Sequence, residues 1–149
     1  EYVISTPKLY PVLELITLLK KTKDQEIYEL LKDYIVNSLQ NELKQGLRNK
    51  DDWAINSYSK CGCEYCLIFN EFMNSSADIN KKWPIRQDAR FHIIDVIKKL
   101  EVPIDHDVEK KGSPHSLILI KSDSLHSSAK KRFETVTTAY QKLINNSNS

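Results

Sequence analysis

The sequence predicts an α+β, mainly α-helical fold of about five helices plus one β-hairpin, stabilised by zinc. Three observations carry that expectation. Apolar residues recur at helical spacing in several separate segments; two short apolar runs flank the turn-forming Gly112-Ser113-Pro114; and all 3 cysteines fall within Cys61-Gly62-Cys63-Glu64-Tyr65-Cys66.

Taken in order, Pro11 opens a segment in which Val12, Leu15, Ile16 and Leu19 share one helical face, and Lys20-Lys21 suit its C-terminus. Asp24 is placed to cap a longer helix with the stripe Ile27, Leu30, Leu31, Tyr34, Ile35, Leu39 and Leu43. These two helices are expected to pack as an antiparallel hairpin. Residues 46–59 read as a polar connection anchored to the core by Trp53. After Cys66, the run Leu67, Ile68, Phe69, Phe72, Met73 predicts a short buried helix, and Asn74-Ser75-Ser76-Ala77-Asp78 ends it. Trp83-Pro84 precedes a helix over about 85–100, with Ala89, Ile93, Val96, Ile97 and Leu100 inward. Residues 102–109 and 116–121 form the predicted hairpin, whose second strand, Leu117-Ile118-Leu119-Ile120, is apolar on both faces and so expected to be buried. Gly112 suits a positive-φ turn position. The last helix carries Ala129, Phe133, Val136, Tyr140, Leu143 and Ile144.

A chain of 149 residues fits one compact domain. The expected organisation is a single zinc-stabilised helical domain over 1–144, comprising an N-terminal helical hairpin at 8–46, a zinc module at 60–121 and a C-terminal helix at 124–144, with a frayed tail at 145–149. Its net charge of +2 does not by itself imply a polyanionic partner. No apolar run approaches the ~20 residues that span a bilayer, so no membrane partner is expected. The start, Glu1-Tyr2-Val3-Ile4, has neither an initiator methionine nor a signal-peptide layout, which suggests a piece of a longer soluble protein. Asn74-Ser75-Ser76 and Asn145-Asn146-Ser147 match the glycosylation pattern, which is common by chance. Clustered thiols without pairing partners favour a reducing compartment, hence an intracellular protein, nuclear or cytoplasmic.

An odd number of closely spaced thiols suits a metal-thiolate site better than a disulfide framework. Cys61, Cys63 and Cys66 can turn three sulfurs inward, and a structural zinc takes a fourth ligand. His92, roughly 85° from the centre of its helix's apolar stripe at ~100° per residue, ranks first; His106, His115 and His126 follow. The competing readings are buried packing cysteines and thiol redox sensing. A catalytic zinc would keep an open position beside a general base, yet Glu64 is the only carboxylate near by in sequence and the His-x-Glu deaminase pattern is absent. No histidine is followed two residues on by an acid, which disfavours a two-histidine, one-carboxylate iron site. The 3 glycines stand apart, so no glycine-rich phosphate loop exists. The chain is therefore expected not to be an enzyme, although a longer parent protein could carry one.

Cys61-Gly62-Cys63-Glu64-Tyr65-Cys66, Phe69-Asn70-Glu71-Phe72, Trp83-Pro84, Arg90-Phe91-His92-Ile93, His106 and Gly112-Ser113-Pro114-His115-Ser116-Leu117 follow one another in an order that resembles a cysteine-rich module of plant, fungal and protist proteins. That module often lies beyond an Fe(II)/2-oxoglutarate dioxygenase domain. Its pattern runs Cys-x-Cys-x-x-Cys, Arg-x-His and a Gly-x-Pro hairpin ending in Lys, which Lys121 matches. The resemblance covers roughly 61–121 and implies an accessory domain rather than the oxygenase.

The expected function is thus a non-catalytic, zinc-stabilised interaction module that recruits or positions a protein partner or other domains of its parent chain. The alternative is a DNA- or RNA-binding domain. Lys81, Lys82, Arg90, Phe91, Lys110, Lys111, Lys130, Lys131 and Arg132 are its candidate contacts, with aromatic rings available for stacking. Against it, lysines interleaved with Asp95, Glu101, Asp105, Asp107 and Glu109 also describe an ordinary solvated face. A catalytic fragment is the third reading.

Overall fold

The computed structural model describes residues 9–145, with side chains from residue 14. In chain order its elements are α1 (Leu9–Leu19), α2 (Gln25–Lys44), α3 (Glu64–Asn74), β1 (Asn80–Pro84), α4 (Gln87–Leu100), β2 (Ile104–Glu109), β3 (Ser116–Lys121) and α5 (Ser124–Asn145). The fold is α+β and mainly helical among the described residues. Contacts group the described residues into two compact units, one made of those up to Arg48 with those from Ser128 onward, the other of Asn49–Ser127. No helix among the described residues is long and apolar enough to cross a membrane.

In the first unit, α1 starts two residues before Pro11, which thereby falls in the first turn, where a backbone N–H has no helical partner to lose. The side chain of Val12 lies outside the described residues, as do Lys8 and residues 146–149 of the expected tail, while Asn145 closes α5. Asp24 caps α2 as its position predicts, its carboxylate accepting from the N–H groups of Glu26 and Ile27, each at 3.0 Å. Gly46, at φ +70°, ends that helix in a left-handed turn, its N–H donating to the Leu43 carbonyl. The core of this unit is Leu19, Ile35, Leu39 and Val136, with Tyr28, Leu31 and Leu43 half-buried beside it. The stripe read along α2 was too broad: Ile27, Leu30 and Tyr34 are exposed. At ~100° per residue they lie about 105° around the helix from the face that Leu31, Ile35 and Leu39 bury.

The second unit centres on Cys66, Phe69, Met73, Ile93, Leu117 and Leu119, all fully buried. The sheet is antiparallel and three-stranded in the order β1-β3-β2, so a further strand joins the expected hairpin. Asn80–Pro84 pairs along β3 from Asn80 opposite Ile120 to Pro84 opposite Ser116, and Pro84 is tolerated because β1 is an edge strand. The full burial expected of β3 is not found. Leu117, Leu119 and Lys121 point into the core, whereas Ile118 is half-buried and Ile120 exposed, because the sheet's other face is not fully covered. Gly112 takes φ +81° between β2 and β3. The connection before α3 is held at Trp53, which is half-buried edge-on to His126 at 4.5 Å between ring centres and whose N–H donates to the Ser76 carbonyl at 3.0 Å, and at buried Ile55, whose N–H donates to the Met73 carbonyl at 2.7 Å. Leu67, expected inside, is exposed on α3, since α3 begins at Glu64 and turns that position outward.

Candidate metal centre

Cys63 is the N-cap of α3. Its extended backbone (φ −73°, ψ 155°) turns the chain so that its sulfur accepts from the Cys66 N–H at 3.4 Å, as a capping side chain does. Cys66 lies in the first turn, fully buried against the core of the unit, while Cys61 precedes the helix and is exposed. Opposite, α4 is set by Ala89, Ile93, Val96 and Ile97, all buried, and these fix the rotation of the helix so that half-buried His92 faces α3. Its Nε2 is 3.2 Å from Cys66 Sγ and 3.5 Å from Cys63 Sγ.

The ligand atoms of Cys61, Cys63, Cys66 and His92 all lie within 4.8 Å of one another, so the four together can hold a metal ion. A tetrahedral zinc, with Zn–S near 2.3 Å and Zn–N of 2.0–2.1 Å, would separate sulfur from nitrogen by about 3.6 Å and sulfur from sulfur by about 3.8 Å. The spacing of the cluster is close to that shell. Three sulfurs and one imidazole form a donor set that suits zinc and other thiophilic ions rather than magnesium or calcium.

The thiols differ in their readiness to ionise. The Cys66 N–H directed at Cys63 brings that thiol down to about 7, with further hydrogen bonding from Cys61, Cys66 and His92. Burial pushes Cys66 up to about 11. A bound cation reverses that burial effect, since metal coordination deprotonates a thiol outright.

A second layer that sequence reasoning missed supports the sulfurs. The Ser59 hydroxyl donates to Cys66 Sγ at 3.3 Å and accepts from the Cys61 N–H at 3.2 Å. Asn70 in turn grips the Ser59 backbone, accepting from its N–H at 2.7 Å and donating to its carbonyl at 3.2 Å. The available signal was Asn70's place four residues after Cys66, on the same face of α3.

The other candidate residues lie apart from this cluster. His106 is exposed on β2, His115 is half-buried before β3, and His126 faces Trp53. Arg90, a candidate surface contact, is instead buried, donating to the carbonyls of Ile85 at 2.5 Å and His115 at 3.1 Å, because its position on α4 faces the chain segments entering α4 and β3. Lys82 pairs with Glu109, Lys130 reaches Glu134 at 4.0 Å, and Arg132 makes a two-point contact with Glu42. Lys81 sits 5.4 Å from the Trp83 ring centre. Phe91, Lys110, Lys111 and Lys131 are exposed.

Compared with known proteins, the chain matches no family model, no curated protein and no solved structure.

Proposed function

We propose that this chain is a non-catalytic, zinc-stabilised interaction module that serves a larger intracellular protein, in the nucleus or cytoplasm, by recruiting or positioning a protein partner. The observation that carries the reading is the Cys61, Cys63, Cys66 and His92 set, whose three sulfurs and one imidazole nitrogen suffice for a complete tetrahedral shell. Such a shell leaves a zinc no position for water or substrate, and Glu64, the neighbouring carboxylate in sequence, is exposed and outside the set.

Several parts of the cysteine-rich module pattern also have physical work here, which supports an accessory role beside a dioxygenase domain. Arg90 ties two backbone carbonyls together, His92 turns to the cysteines, and Lys121 closes the far end of α3. A protein partner is favoured over nucleic acid because Lys82, Lys130 and Arg132 each face a carboxylate, and Arg90 is turned inward.

Cobalt substitution tests the reading. The expected result is one Co(II) per chain with a tetrahedral spectrum and sulfur-to-metal charge-transfer bands. A five- or six-coordinate spectrum that responds to added small anions would mean an open site and overturn the non-catalytic assignment.

A further inference from the structure

The first unit holds a groove of about 710 Å³ that plays no part in the metal centre. One wall is Ile16 with Lys20, at the end of α1; the other is α5. Its α5 residues run from Lys131 to Leu143 at intervals of three or four, so they form one continuous face three turns long, roughly 18 Å at 1.5 Å per residue.

The floor of this groove is more apolar than its sequence suggests. Thr135 and Thr138 each turn their hydroxyl back along the helix, donating to the carbonyls of Lys131 at 2.8 Å and Glu134 at 2.9 Å. With the hydroxyls satisfied in this way, the methyl groups are left to the groove, beside Ile16, Ala139 and Leu143. The rim is cationic. Lys20, Lys131 and Lys142 line it, and all three are exposed. Glu134 is the one acid among the described lining residues, and Lys130 stands 4.0 Å from its carboxylate.

We propose that this groove docks an acidic amphipathic helix of a protein partner, with its apolar face on the threonine and alanine floor and its carboxylates toward Lys20, Lys131 and Lys142. The proposal rests on the reading of the chain as an interaction module and names the chemistry of its partner. Its length and apolar floor match the helix-in-groove mode of recognition. The lysine rim selects acidic flanks and speeds their encounter. A second copy of the chain would bring a like-charged rim, and a flat anionic membrane surface would not reach a concave floor between two helices.

The test uses the full, zinc-loaded chain and a synthetic peptide of about 14 residues, long enough for three to four helical turns, with Leu at helical spacing and Glu elsewhere. Binding is followed by fluorescence anisotropy beside a scrambled peptide of the same composition and a peptide with Lys in place of Glu. The acidic helix should bind saturably and the scrambled one at least tenfold more weakly. Joint Lys20→Glu, Lys131→Glu and Lys142→Glu substitution should weaken the acidic peptide by tenfold or more and make the basic peptide the tighter ligand. Thr138→Glu, a single exposed change, should weaken the acidic peptide on its own and serves if the triple variant does not fold.

Equal binding of the scrambled peptide, or affinities unchanged by both variants, would overturn the proposal. So would lysine-dependent capture by phosphatidylglycerol vesicles that displaces the peptide, or lysine-dependent dimerisation in sedimentation. Zinc content and helicity measured on the same samples separate this outcome from a failure of the metal reading, because none of the substituted residues is a ligand.

Discussion

The ammonium of Lys121, at the end of β3, lies 2.6 Å from the carbonyl oxygen of Ser75, just past the end of α3. It also donates to the Met73 carbonyl at 3.2 Å, and its charge stands 4.8 Å from the centre of the Phe72 ring. A helix terminus leaves carbonyls without internal partners, and a buried lysine here supplies donors where water is excluded. The sheet and the metal-bearing helix are thereby fastened together at the end of α3 opposite Cys66.

Lys121→Met keeps the aliphatic packing but removes the donors. Leaving buried carbonyls unpaired should lower unfolding free energy by about 1–3 kcal/mol. Denaturant unfolding of both proteins measures it, and a difference within a few tenths of a kcal/mol would show that the carbonyls find other donors.

Asn70→Ala retains all four candidate ligands and removes the grip on Ser59. Residues bonded directly to a metal ligand are worth about 10–100-fold in metal affinity, and for Asn70, which acts on the ligands through Ser59, a fall of up to about tenfold is expected. Competition with a calibrated chelator reads the change directly. Affinity equal to that of the unaltered chain would mean that Ser59 is held without Asn70.

Much of this arrangement could be read from the sequence because its determinants are local. The Asp24 cap, the spacing of Cys61, Cys63 and Cys66, and the face of α4 that carries His92 each depend on residues within a turn or two of one another. What could not be read depends on distant partners. Asn80-Lys81-Lys82-Trp83-Pro84 has adjacent lysines and a terminal proline, and it becomes a strand only because β3 offers an unpaired edge. Likewise nothing in Ile27, Leu30 and Tyr34 distinguishes them from Leu31, Ile35 and Leu39 until the neighbours of α2 are known. Ser59 lies in no motif, and Phe69-Asn70-Glu71-Phe72 does not reveal what Asn70 bonds to; their joint role emerges only when the loop folds back on α3.

The two inner cysteines give the metal-free protein a characteristic pH dependence. Cys63 titrates near 7 in the fold against an ordinary value of 9.0, so the folded state releases its proton first and gains stability as pH rises from about 7 to 9. Cys66 titrates near 11, so between about 9 and 11 the unfolded chain loses a proton that the fold retains, and stability declines. Melting temperatures of the chelated protein, taken against Cys63→Ser and Cys66→Ser, should show the first slope vanish in one variant and the second in the other. Parallel curves for all three proteins would contradict this assignment.

His92→Ala and Cys63→Ser each remove one ligand from the four, and either should lower metal content and melting temperature together. His106→Ala, on the exposed part of β2, should change neither. A variant of His92 or Cys63 with stoichiometric zinc and an unaltered melting temperature would remove that residue from the shell.

The structural role of a metal is read from elemental analysis of the purified chain for zinc, with circular dichroism before and after chelation. The expected result is one zinc per chain and a loss of helical signal when it is removed, which that role requires. A metal-free chain whose helicity and melting temperature ignore the chelator would contradict it, leaving Cys61, Cys63, Cys66 and His92 as a packing cluster.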